Sequence, residues 1–133
     1  MESNGLKLPK RIPTSIITGF LGSGKTTILN DIINYKEFKN TLLIINEFGK
    51  ISIDHHLIKK KSDDKIVLNN GCLCCSFSGD LVKTLDDTLK LKKKFDRIII
   101  ETSGLADPIP IVQTIVSDQI ISEKIKFKSL ITV

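Results

Sequence analysis

The nine residues Gly19-Phe20-Leu21-Gly22-Ser23-Gly24-Lys25-Thr26-Thr27 constrain this chain more than any other stretch. They fit G-x-x-x-x-G-K-[ST], a loop whose backbone N–H groups cradle phosphates. Ser15-Ile16-Ile17-Thr18 precedes it, short, apolar and β-branched, and reads as a buried strand. After it, Ile28, Leu29, Ile32 and Ile33 recur at helical spacing. Strand, glycine-rich loop and helix in that order predict an anion site at a helix N-terminus. Gly19, Gly22, Ser23, Gly24, Lys25, Thr26 and Thr27 are its candidate nucleotide-binding residues. Lys25 reaches the β and γ phosphates in such a loop, and the Thr26 hydroxyl ligates Mg²⁺.

The rest of the chain reads as the sheet that such a loop requires. Thr41-Leu42-Leu43-Ile44-Ile45-Asn46 carries an unbroken apolar run, as in a parallel strand covered on both faces. It ends in Asn46-Glu47-Phe48-Gly49, at the strand edge where ligands sit in α/β sheets. Lys50 to Asp64 carries only a weak apolar pattern and is expected to be a mobile loop with one helical turn. Lys65 to Asn69 is a short strand, Asn70-Gly71 a turn, and Gly79 to Lys92 an amphipathic helix. Asp96 to Glu101 reads as a buried strand, Ile109 to Val116 as a helix entered through prolines, and Ser129 to Val133 as a last strand. The expected fold class is α/β: a P-loop NTPase domain, incomplete, with a mostly parallel sheet and helices on both faces. Residues 1–11 read as a flexible lead-in and 12–133 as one domain.

Composition narrows the function classes. The chain has 133 residues, 41% hydrophobic and 26% charged, which suits one ordinary core. The net charge of +5 comes from lysines that look scattered in sequence, with only short runs at 59–61 and 90–94. Tryptophan is absent and tyrosine occurs once, so base stacking has little to rest on and nucleic acid is an unlikely partner. No apolar run reaches membrane-spanning length, and the polar N-terminus carries no signal pattern. A cytoplasmic location is expected, where thiols stay reduced.

Two further groups carry chemistry. Glu101 ends its strand and precedes Gly104 with the spacing Glu-x-x-Gly; it is the candidate acid for the Mg²⁺ shell, with Gly104 near the γ-phosphate. Lys25, Thr26 and Glu101 are thus the candidate catalytic set, and Glu47 is a second candidate for metal or switch. Three thiols lie within four residues, at Cys72, Cys74 and Cys75. In a reducing compartment these suit a borderline cation such as Zn²⁺ better than disulfides. A fourth ligand would come from Glu47, His55, His56, water or a second chain; the alternatives are two metal-binding cysteines, or a buried or redox-active cluster.

The P-loop, Asn46-Glu47-Phe48-Gly49 with Asp54, Gly71-Cys72-Leu73-Cys74-Cys75, Gly79-Asp80-Leu81 and Glu101-Thr102-Ser103-Gly104-Leu105-Ala106-Asp107-Pro108 together resemble the CobW-type family of P-loop GTPases. These are metallochaperones and maturation factors for metal enzymes. The resemblance implies a GTP-hydrolysing metallochaperone using GTP and Mg²⁺. It implies a cation, Zn²⁺ in one branch and Co²⁺ in another, carried on Cys72, Cys74 and Cys75 and delivered to a client metalloprotein. It also implies that the chain is the N-terminal part of the GTPase domain, since no Asn-Lys-x-Asp guanine motif occurs before Val133. Leu105 follows Gly104 where Ras-like proteins place a water-orienting glutamine, so basal hydrolysis is expected to be slow. A metal-dependent sensor or scaffold without turnover is the competing function. A P-loop kinase is a third reading, for which neither a lid arginine nor an acceptor site is visible.

Overall fold

A computed structural model describes residues 10–20, 22–45, 53–77, 80–91, 93–102 and 107–133. The expected calls on Glu47, Gly79, Gly104 and most of the lead-in lie outside these residues. Seven strands form one sheet: β1 (Ile12–Thr18), β2 (Thr41–Ile45), β3 (Ile58–Lys61), β4 (Lys65–Leu68), β5 (Leu73–Ser76), β6 (Arg97–Glu101) and β7 (Ile125–Thr132). Their spatial order is β3-β4-β5-β2-β6-β1-β7. The pairs β5/β2, β2/β6, β6/β1 and β1/β7 are parallel; β3/β4 and β4/β5 are antiparallel. The sheet is therefore mostly parallel, with an antiparallel edge.

Among the described residues, four α-helices cover it: α1 (Lys25–Ile32), α2 (Leu81–Leu89), α3 (Ile109–Ser117) and α4 (Ile121–Lys124). The central strand β2 is buried along its whole length because both faces carry a helical layer. On one face Leu29 and Ile33, of α1 and its end, pack on Ile17, Leu43, Ile45, Ile66, Leu68 and Ile99. On the other, Leu81 and Leu85 of α2, Ile115 of α3 and Ile121 of α4 pack on Ile16, Leu42, Ile44, Ile98 and Ile100. Alternate residues of each strand thus feed opposite cores, as a period of two requires. Asp80 caps α2, its Oδ1 accepting the Lys83 N–H at 3.1 Å. Asp86 on α2 holds Lys90 at 3.0 Å and Lys124 of α4 at 3.1 Å, which ties the two helices together.

Three segments differ from the sequence-based expectation. Within the expected mobile loop, a single turn of 3₁₀ helix does form at His55–Leu57, but β3 follows it. Its sequence Ile-Lys-Lys-Lys is exposed except at Ile58, so it has no apolar alternation to betray it. It is an edge strand, where lysines discourage pairing with other chains. The cysteine segment, expected only to follow a turn, is largely strand: Leu73 to Ser76 pair with β2 on one side, and Leu73 to Cys75 with β4 on the other. The last strand is also longer than expected, starting at Ile125, with a bulge where Thr14 pairs Phe127 and Ser15 pairs Ser129.

Candidate nucleotide and metal site

Parallel pairing of β1 with β6 builds the site. Glu101 lies opposite Ile17 in register, so the end of β6 arrives beside the loop that leaves β1. The Thr102 N–H donates to the Ile17 carbonyl at 3.0 Å and locks that edge. The loop then turns into α1. Gly24 caps the helix with φ at 106°, a conformation that disfavours any side chain. The first intrahelical bond runs from the Ile28 N–H to the Gly24 carbonyl at 3.0 Å. The N–H groups of Lys25, Thr26 and Thr27 therefore have no helical acceptor, and no acidic side chain occupies the first turn. They face an anion site by default.

The cavity at this turn measures about 220 Å³ and is lined by Phe20, Gly22, Gly24, Lys25, Thr26, Thr27 and Glu101. Lys25 is 5% exposed and Glu101 1%. The Lys25 Nζ donates to the Thr102 carbonyl at 3.2 Å and lies 4.0 Å from Glu101 Oε1. Glu101 Oε2 is buried with no hydrogen-bond partner among the described residues, and so is the Ser23 hydroxyl. A buried carboxylate oxygen without a partner is costly unless a cation or donor meets it. That vacancy of partners, beside the half-buried Thr26 hydroxyl, fits a hard divalent cation such as Mg²⁺ with oxygen ligands. Sequence reasoning missed the Thr102 carbonyl as the resting acceptor of Lys25; its place just after a strand-ending acid was the available signal.

The three thiols are all buried and free. Strand alternation divides them. Cys72 and Cys74 belong to the core beneath α1, with Leu29 and Ile33. Cys75 points into the opposite core, beside Leu81 and Leu85, with its Sγ 3.9 Å from Thr88 Oγ1. Thr88 carried no sequence signal, since only the fold brings α2 over β5. The hydrogen bond from Cys74 draws the Cys72 thiol below its ordinary range, against the effect of burial. The same bond and burial push Cys74 well above it. Burial pushes Cys75 up, with the Thr88 hydrogen bond working the other way. Among the described residues, no group of three or more His, Cys, Asp or Glu side chains gathers in a way that could hold a metal. His55 and His56 are exposed on their turn.

Cys72 and Cys74 nevertheless share a core with the helix that starts at the phosphate loop. Strand β5 lies three strands from β1, or about 14 Å at the usual spacing. Helix α1 spans that gap through Leu29 and Ile33.

Comparison with known proteins fits this geometry. Residues 13–133 match the family described as CobW/HypB/UreG, nucleotide-binding domain. The chain is 42% identical over 117 residues to the zinc chaperone YjiA of Escherichia coli, covering 85% of this chain and 37% of that protein. It is 41% identical over 130 residues to zinc-regulated GTPase metalloprotein activator 1 of Saccharomyces cerevisiae, covering 93% and 30%. The crystal structure of Zn(II)-bound YjiA GTPase from E. coli superposes with a TM-score of 0.69 at 38% identity, over 92% of this chain and 40% of that one. The chain thus spans roughly a third of the length of these curated relatives. A phosphate loop with a buried acid at the next strand, on a mostly parallel sheet shared with a solved GTPase, places this chain in the CobW/HypB/UreG family of P-loop GTPases.

Proposed function

We propose that the chain is the nucleotide-binding part of a GTP-hydrolysing metallochaperone that carries zinc on the Cys72, Cys74 and Cys75 segment and passes it to a client metalloprotein. The observation that carries this reading is the shared core of α1, Cys72 and Cys74. One rigid helix has its N-terminus in the phosphate loop and its apolar face on two of the three thiols. Thr26 and Glu101 would hold Mg²⁺, which supplies charge neutralisation at the phosphates when bound. Lys25 leaves the Thr102 carbonyl to pair with the β and γ phosphates, and the free N–H groups of the first turn of α1 orient the phosphate chain.

Loading the metal demands a rearrangement. Sulfurs on consecutive strand residues point to opposite faces, so Cys74 and Cys75 cannot share one ion while β5 stays regular. The proton held by Cys74 must also leave, because thiolate is the ligand. We infer that nucleotide binding shifts α1 and Glu47 so that the start of β5 loosens and the donors converge. A coupling of about 1–3 kcal/mol would change zinc affinity roughly 5–150-fold, and zinc would tighten nucleotide by the same factor. Titration of Zn²⁺ into the protein with and without a non-hydrolysable GTP analogue tests it. Equal affinities in the two titrations would refute the gating. Basal hydrolysis is expected below about 1 s⁻¹, with a client protein accelerating it.

A further inference from the structure

At the opposite edge of the sheet, residues far apart in sequence meet in a second groove. Its volume is about 910 Å³. Lys10 and Arg11 lead into β1, Arg97 opens β6, and Lys93 and Lys94 lie between the end of α2 and β6. Because β1 and β6 are parallel, their N-terminal ends share one edge, one strand length or about 20 Å from the phosphate loop. The lysines that look scattered in sequence are therefore partly gathered. Five cations and one carboxylate, Asp96, line the groove, so it carries four of the chain's five net positive charges.

None of those five cations has a carboxylate within 4.0 Å among the described residues. Arg11 donates to the Ser122 carbonyl at 3.3 Å. Arg97 donates to the Glu37 carbonyl at 2.7 Å and stacks over Phe38 at 4.7 Å. Lys93 lies over the Phe95 ring at 5.8 Å. Carbonyls and rings hold these groups in place without neutralising them. Elsewhere lysines do find partners: Lys25, Lys65, Lys90 and Lys124 each have a carboxylate. Between the cations run apolar surfaces of Ile12, Pro13, Leu89 and Leu91, the last 43% exposed.

We propose that this groove docks an acidic, leucine-bearing peptide segment of a partner protein. Preplaced, unneutralised cations around an apolar floor complement carboxylates spaced about an apolar anchor. Nucleic acid is the poorer fit. The one aromatic ring lining the groove is Phe95, which is 7% exposed and already covered by Lys93, so no face is open for base stacking.

The test is fluorescence anisotropy of the protein with two probes: a labelled peptide of glutamates with leucine at every third position, and an oligothymidylate of equal net charge. The peptide is expected to bind saturably and more tightly than the oligothymidylate. The double variant Lys10→Glu/Lys94→Glu, both at exposed positions, is expected to weaken it about tenfold or more. Leu91→Gln is expected to weaken the peptide alone by a few fold, with guanine-nucleotide binding unchanged in all variants as the check on folding. Peptide binding that survives the double variant would overturn the proposal. So would oligothymidylate binding as tight as the peptide's, or indifference to Leu91→Gln, since either marks a surface for polyanions in general.

Discussion

The two faces of the sheet are built differently, and the difference separates chemistry from support. Over one face, among the described residues, lie one α-helix, α1, which begins at the phosphate loop and rests on Cys72 and Cys74, and the short turns that bring Phe38 and Leu57. Over the other lie α2, α3 and α4, with α2 tied to α4 through Asp86 and closed over Cys75. With one α-helix against three among the described residues, the first face is the more thinly covered. The thickly covered face can move only by breaking several contacts at once. Cys74 and Cys75, adjacent in sequence, thus sit in regions of different mechanical character.

The largest test of this contrast is Lys25→Met. It removes the only cation near Glu101 among the described residues and leaves a buried carboxylate uncompensated, which costs about 3–5 kcal/mol. Urea unfolding should show that loss, and nucleotide binding should fail. The double variant Lys25→Met/Glu101→Gln should recover stability but not nucleotide; no recovery would mean the pair does not interact.

Next, Leu29→Ala and Leu85→Ala truncate fully buried side chains on the two faces, each at about 2–5 kcal/mol. Similar losses are expected on unfolding, but only Leu29→Ala should reduce the effect of nucleotide on zinc affinity. Equal reductions would erase the distinction drawn between the faces.

Raising the pH probes the thiols. Cys74 and Cys75 bind their protons more tightly folded than unfolded. Their contribution is complete below the unfolded thiol value of about 8.5 and is lost as pH climbs through the folded values. Cys72 works in the opposite direction, but it is one group against two. The melting temperature should therefore fall above that pH, and less steeply in Cys75→Ala. An unchanged slope in that variant would remove Cys75 from the account.

The smallest effect is Asp80→Ala, which deletes the cap of α2 for about 1 kcal/mol. Melting should register it, whereas nucleotide binding should be untouched, because α2 packs on the face away from α1.

Much of this was legible in the sequence for a definite reason. Ser15 to Thr27 and Asp96 to Glu101 advertise themselves because buried parallel strands are runs of branched apolar residues and the phosphate loop needs fixed glycines. Strand β3 was hidden because an edge strand of lysines has no buried face to leave a pattern. Strand β5 was hidden because its inward residues are cysteines, read first for their sulfur chemistry and not as the small apolar residues they also are. The division of the thiols between faces follows from β5 being a strand, so missing the strand meant missing the division. The basic groove was invisible because register between distant strands, not sequence proximity, assembles it.

Gly19 has a neighbour that alters how the loop should be read. A methyl group built there would stand 2.6 Å from the Val133 carbonyl and 2.7 Å from the Ser23 hydroxyl. The Val133 N–H, in turn, donates to the Thr18 carbonyl at 2.9 Å. The first glycine of the loop is thus a hinge pin for the seam between β1 and β7 as well as a turn. An alanine at that position would act as a wedge, prising the outermost parallel strand from its neighbour before any phosphate arrived.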